Sequence, residues 1–469
     1  MSQERREKGR WTLSPTEWII FAAAFFLRLL FMFFLYLKIG GNFFVDAGTI
    51  NTAEYLSIGT SLAEGRGFEN LGVTSALRTP VYPLFVGTFV FLHLPLWLIP
   101  LLQNIISALS AVLVYRLGTF YFSQRAGIVA GSLFALEPYN MLLANLLMTE
   151  TLFIFLLLLS FIAFWHWYSQ EANWRWPILT GLLLGLSTLT RPIPFFIPVI
   201  FSLFLFTKGF NRQRLRSAVG FLAVFFLVIS VWSARNYLVF GRFKLSNVVE
   251  TEVLYTKMLP IAVAKERGIS YEQAAVEVRN NTPNLIPDFD PDKYWHTFAY
   301  NDILALAAKG PILRHLPTMS SFIFWSIFPS GLYTTGYQYI FSIFWPGWDN
   351  DGLNLSALFR EAGFGEFLRA LATLNIFKAI IVLGSFVWLC LYGIIIGGFI
   401  AGWSKHKKIL LFFLLFVVFF LTIAVAPPMD IRYRQMSHPF IFLLVGFGID
   451  QLTARFHKRR FLSLRPDQL

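Results

Sequence analysis

The residues able to do chemistry cluster early in the chain. Asp46, Glu54 and Glu64 fall in one stretch, residues 38–96, between the first apolar run and the next. That stretch reads Asn51-Thr-Ala-Glu-Tyr55, Glu64-Gly-Arg-Gly-Phe68 and Arg78-Thr-Pro-Val-Tyr-Pro83. Further along, Glu137, Glu150, Arg191 and Arg235 sit in or at the ends of apolar runs, and Asp430, Arg432 and Arg434 in a short connection. An ionised group at membrane depth costs ~2.5–3.5 kcal/mol or more, so it needs a partner or a task. Arginines pair bidentately with phosphate oxygens, and a carboxylate beside an incoming hydroxyl can act as general base. Together these types suit a phosphate-bearing substrate. Each also has a plainer reading. The arginines can snorkel to the interface, Glu150 can favour a helix N-terminus, and Glu54 can be solvated on a surface helix. Glu137-Pro138 can mark a kink, and Gly65 can stop a helix.

The elements that must hold these residues are membrane helices. Of 469 residues 56% are hydrophobic and 14% charged, and the mean hydropathy is +0.60. Several continuous runs reach the ~18–20 apolar residues that cross a bilayer. A β-barrel would alternate instead. The expected fold is therefore an all-α polytopic membrane protein. The net charge of +13 does not indicate nucleic acid, because the basic residues gather at span ends: Arg5 to Arg10, Lys208 to Arg216, Lys405 to Lys408 and Arg455 to Arg460. This is the pattern of cytoplasmic loops. The single cysteine, Cys390, permits no disulfide within the chain, and His296, His315 and His438 have no metal-ligand spacing. The first apolar run lacks a small-residue cleavage site and reads as a retained span.

Charge bias then orders the chain. A cytoplasmic N-terminus (1–16) precedes a transmembrane module (17–236) with spans at 17–38, 97–120, 127–145, 150–168, 177–190, 193–207 and 218–236. Residues 237–345 form an extracytoplasmic region with helical segments such as 271–278 and an interfacial or re-entrant aromatic run at 318–345. A second module (346–453) has spans at 376–402, 409–426 and 436–453 and leads to a basic cytoplasmic tail (454–469). The sum is about ten crossings, with a range of roughly nine to thirteen. Both termini lie inside, and the acids and arginines converge on the outer face. No internal repeat favours a secondary transporter.

The order of the motifs resembles a known family: Glu54-Tyr-Leu-Ser-Ile, Gly65-Arg-Gly-Phe68, Arg78-Thr-Pro-Val-Tyr-Pro83, Leu147-Met-Thr-Glu150, Leu189-Thr-Arg-Pro192, Arg235-Asn-Tyr-Leu-Val-Phe-Gly-Arg242 and Arg432-Tyr-Arg434. Over residues 15–455 the chain resembles the GT-C membrane glycosyltransferases, in the branch related to protein mannosyltransferases and lipid A aminoarabinose transferase. The resemblance implies outer-face loop helices and transfer of a sugar from a polyprenyl-phosphate donor to an extracytoplasmic lipid, glycan or protein acceptor, with inversion. Membrane lipid and those substrates are then the partners, and nucleic acid is not. An outer-loop acid would activate the acceptor, and arginines or a divalent metal would offset the phosphate charge. Carried onto this chain, Glu150 matches the second outer acid, Arg78, Tyr82 and Arg191 match positions near the donor phosphate, and Arg432 and Arg434 match the late basic motif. Asn51 and Tyr55 complete the substrate-binding set.

One position departs from the family. The expected base falls four residues before Tyr55, at Asn51, and an amide cannot take a proton at neutral pH. Asp46 is favoured as the base, with Glu54 as runner-up. Glu150 then supports the site or, with Asp46, ligates a metal. Two rival readings remain: a transporter or flippase for lipid-linked sugars, and a non-catalytic polyprenyl-phosphate binder. Charges strung through the bilayer would favour the first, and charges confined to the outer surface favour transfer chemistry.

Overall fold

The computed structural model describes residues 13–46, 50–171, 173–247, 258–285, 314, 376–424 and 435–463. Helix α1 (Pro15–Ile39) leads to a short α2 (Phe43–Asp46) and α3 (Ile50–Ala63). A two-stranded hairpin follows, β1 (Glu69–Asn70) pairing antiparallel with β2 (Val73–Thr74). Then come α4 (Val81–Phe91), α5 (Leu98–Tyr121), α6 (Gln124–Leu136), α7 (Pro138–Ala144), α8 (Glu150–Ser169) and α9 (Arg175–Thr190). A 3-10 turn (Ile193–Phe196), α10 (Ile197–Phe206), α11 (Arg212–Phe240), α12 (Leu259–Arg267), α13 (Tyr271–Leu285), α14 (Ile376–Ala424) and α15 (His438–Ser463) complete the described chain.

Among the described residues, six helices are long and apolar enough to cross a membrane, and the bent pair α6–α7 would make a seventh. The protein is thus an all-α multi-pass membrane protein, with one hairpin that the sequence reading did not foresee. Helix α14 is a single element by hydrogen bonding, where two spans were expected. Trp388 and Phe420 would stand about 48 Å apart on a straight helix. Yet the Trp388 ring lies 5.2 Å from that of His438, and the Phe420 ring 5.6 Å from that of Phe440. The helical chain must therefore fold back on itself. The exposed Lys405, Lys407 and Lys408 lie between the two arms, so two antiparallel arms survive the correction. Helix α4 is too short to cross, and it leaves Leu84 and Phe91 exposed, as suits a helix lying at the membrane surface. The aromatic run 318–345 lies outside the described residues.

The bend between α6 and α7 is 58°, and its cause is local. Pro138 has no N–H to give the Phe134 carbonyl, and no water is at hand in hydrocarbon to replace it. Arg28, wholly buried in α1, supplies the donors. Its Nη1 donates to Ala135 O at 3.1 Å and its Nη2 to Phe134 O at 3.5 Å. Its Nε donates to Ser107 Oγ at 2.8 Å. Past the break, the Glu137 carboxylate caps α7 by accepting from Asn140 N at 2.6 Å, and its Oε2 stands 4.0 Å from His438 Nδ1. Asn145 ends α7, donating to Met141 O at 2.8 Å and accepting from Asn104 Nδ2 at 2.9 Å.

The opposite end of the bundle is basic. Arg214 pairs with Glu171 at 2.9 Å and Lys208 with the same acid at 3.4 Å, and Lys408 Nζ donates to Thr207 O at 2.9 Å. Burial alone would raise the Glu171 pKa, but Arg214 and Lys208 outweigh it and hold the carboxyl below its ordinary value. The described ends of α1 and α15 lie at this basic end, through the Glu17–Arg116 pair at 2.6 Å and through Arg455, which donates to Ile400 O.

Arg28→Met should orphan the Phe134 and Ala135 carbonyls, each costing about 1–3 kcal/mol. The expected outcome is a clearly lower melting temperature in detergent, recovered only in part by Arg28→Lys. Melting at the wild-type temperature would refute this account of the bend.

Candidate functional site

The site lies at the end of the bundle remote from the basic loops. On α3, Asn51, Glu54 and Tyr55 stand three and four residues apart and so share one face. The helix stops where Gly65 takes a φ of +75° and Arg66 N reaches back to Ser61 O at 3.0 Å. The plainer reading of that glycine holds, and Glu64 forms only an exposed pair with Arg66. Helices α3 and α4 touch through glycine: a Cβ on Gly87 would sit 2.8 Å from Gly59 O. This close approach lets Arg78, just ahead of α4, reach across to α3. Its Nε and Nη2 lie 2.8 and 2.5 Å from Glu54 Oε2, and Nη2 also donates to Asn51 Oδ1 at 2.8 Å. The guanidinium carbon lies 5.5 Å from the centre of the Tyr55 ring, within cation–π range.

A second pair sits beside the first. Thr79 Oγ1 donates to Thr190 O at 3.0 Å, so the residue after Arg78 is tied to the residue before Arg191. Arg191 Nη1 stands 2.6 Å from Glu150 Oε1 and donates to Thr149 Oγ1 at 3.0 Å. Glu150 is the first residue of α8, so the helix-terminus reading is right about its position, and Arg191 adds a charge partner. The exposures run opposite ways. In the first pair the Arg78 side chain is 9% and Glu54 18% exposed; in the second Arg191 is 14% and Glu150 0% exposed.

Tyr82, from α4, is wholly buried, its ring 5.0 Å from that of Tyr55. Its hydroxyl donates to Gln103 Oε1 at 2.7 Å. Gln103 Nε2 in turn donates to Leu146 O at 2.6 Å and Ala144 O at 3.1 Å. Tyr82 therefore supports the segment that presents Glu150. Leu147 N, on that same segment, donates to Phe44 O at 3.2 Å. That bond docks α2 and places Asp46, two residues on, beside the same loop. Asp46 is exposed, and its carboxylate enters no ion pair or hydrogen bond among the described residues.

Of the expected site residues, the structure brings together Asn51, Glu54, Tyr55, Arg78, Glu150 and Arg191, with Asp46 docked at their side. Arg432 and Arg434 lie outside the described residues. Arg235 belongs to the scaffold: it donates to Ser75 O at 3.0 Å and lies within 5.4 Å of the Phe68, Trp232 and Phe240 ring centres. Among the described residues no group of three or more His, Cys, Asp or Glu side chains could hold a metal ion. Sequence reasoning missed Gln103 and Arg28. A signal was there in each case, a polar side chain set within an apolar run. Breaking a buried pair from one side costs about 3–5 kcal/mol. Glu150→Gln should therefore lower the thermal stability strongly, and adding Arg191→Met should recover much of it. A Glu150→Gln protein that melts with wild type would contradict this pairing.

Comparison with known proteins supports the same picture. Residues 78–234 match the family model for dolichyl-phosphate-mannose-protein mannosyltransferase. No curated protein sequence matches the chain. Among solved structures, the apo oligosaccharyltransferase of Archaeoglobus fulgidus superposes with a TM-score of 0.52 at 13% identity, over 97% of this chain and 52% of that one. The oligosaccharyltransferase AglB of the same organism, in complex with an inhibitory peptide and a dolichol-phosphate, gives a TM-score of 0.51, also at 13% identity and over 97% and 52% of the two chains. This chain thus spans about half the length of these enzymes. ArnT from Cupriavidus metallidurans, bound to undecaprenyl phosphate, gives a TM-score of 0.39 at 13% identity, over 94% and 79% of the two chains. The family match is confined to residues 78–234, and the helical framework shared with these solved structures shows that the chain has a fold of the GT-C membrane glycosyltransferase type.

Proposed function

We propose that the protein transfers a sugar from a polyprenyl-phosphate donor to a lipid, glycan or protein acceptor on the extracytoplasmic face, by direct displacement with inversion. The observation that carries this reading is the gathering of two arginine–carboxylate pairs at one end of the bundle, opposite the basic loops, with the exposed Asp46 on a helix tied to the loop ahead of Glu150. Asp46 acts as general base on the acceptor hydroxyl, because Glu54 and Glu150 are each paired with an arginine while Asp46 pairs with none among the described residues. The oxygen that Asp46 deprotonates attacks the anomeric carbon, and the lipid phosphate leaves. Arg78 and Arg191 take up the charge on the departing phosphate, as charge-assisted donors do. Arg432 and Arg434 belong to the same proposed clamp. A divalent ion, if one takes part, would draw on Asp46 among the outer acids.

Several facts support this over transport. The matching family is described by a dolichyl-phosphate-linked donor, and one structural neighbour was solved with a dolichol-phosphate. The wholly buried Arg28 is held by a hydroxyl and three backbone carbonyls, which makes it part of the frame and not of a path. Positive loops at the far end support, by the usual charge bias, termini in the cytoplasm and a site turned outward.

Labelled polyprenyl-phosphate sugars supplied to membranes holding the protein test the reading. Asp46→Asn should cut the transfer rate by about 10²–10⁴-fold, the usual contribution of a general base, with the protein still folded. Wild-type rates in Asp46→Asn would remove Asp46 from the mechanism.

A further inference from the structure

Building on the donor class proposed above, we propose that Glu54 is a displaceable counter-ion: in the resting protein it holds on Arg78 the place that the donor phosphate takes, and it is released to water when that phosphate binds. The geometry of the pair points to this. Arg78 directs both Nε and Nη2 at one oxygen, Glu54 Oε2, and is itself nearly buried. Left bare there, a guanidinium would be costly, so the empty site needs an anion. Glu54 is the more exposed partner of its pair and can turn outward into solvent once its place is taken. The donor's phosphodiester equals a carboxylate in charge and offers acceptor oxygens of its own, and the monoester left on the lipid after transfer carries about −1.5 to −2, so phosphate wins the exchange.

The neighbouring pair cannot work this way. Glu150 is the sealed member and Arg191 the less buried one, so displacing Glu150 would strand a carboxylate without water. One pair exchanges and the other stays fixed. The scheme also accounts for Asn51. Its Oδ1 accepts from Arg78 Nη2 at 2.8 Å, which holds the guanidinium in place without adding a second negative charge. An aspartate there would compete with the incoming phosphate, and the amide does not.

The experiment measures binding of undecaprenyl phosphate, and of undecaprenol as the uncharged control, to the full chain in nanodiscs. Glu54→Gln should bind the phosphate lipid about tenfold tighter, and Asn51→Asp about tenfold weaker. Neither should change undecaprenol binding. Without ligand, Glu54→Gln should melt below wild type, and the phosphate lipid should raise its melting temperature more than it raises that of wild type. Asn51→Asp carries the test alone if Glu54→Gln does not fold. Wild-type binding with no tightening in Glu54→Gln, or with no weakening in Asn51→Asp, overturns the exchange and leaves the transferase reading standing. Failure of wild type and both variants to bind the phosphate lipid overturns both.

Discussion

A hydrocarbon interior offers no water to an unpaired carbonyl, and the protein depends on how that constraint is met at one break. Pro138 interrupts the helical ladder at membrane depth. The chain survives the interruption because Arg28, from a different helix, donates to the carbonyls on the near side. The carboxylate of Glu137 caps the far side. Once the chain can turn there, α7 runs off the line of α6 and ends in the buried segment 145–149, which delivers Glu150 to the start of α8. A straight helix in this place would carry that segment elsewhere.

The site itself rests on main-chain ties between parts distant in sequence. Thr79 bonds to the carbonyl before Arg191, Gln103 bonds to two carbonyls ahead of Glu150, and Leu147 bonds to the carbonyl of Phe44. These bonds are short and buried, so they fix the positions of the arginine-bearing loops relative to one another. The charged side chains mounted on them then differ in what they can do. Glu150 is sealed, Glu54 sits at a rim, and Asp46 is open. Burial, more than residue type, separates three carboxylates into a structural partner, an exchangeable counter-ion and a candidate base.

The membrane class, the limits of most spans and the early acidic loop could be read from the chain, since apolar runs and the charges at their ends are local properties. The expected first span at 17–38 became Pro15–Ile39, and 150–168 became Glu150–Ser169. The kink at Glu137-Pro138 and the stop at Gly65 were equally visible, because proline and glycine act on their own backbone. Tyr82 shows the limit of such reading. Its hydroxyl bonds to the buried Gln103, and nothing in a linear motif reveals which way a helix faces.

By itself the sequence determined that this is a polytopic helical membrane protein with acids and arginines brought to its loops, because transfer from water to lipid is decided residue by residue along a run. Only the tertiary structure decided that Arg78 faces Glu54 and Asn51, that Arg191 faces a sealed Glu150, and that Arg28 closes the break at Pro138. Those pairings join helices far apart in the chain. They depend on helix crossings such as the Gly59–Gly87 contact, where the absence of two side chains sets how near two backbones come.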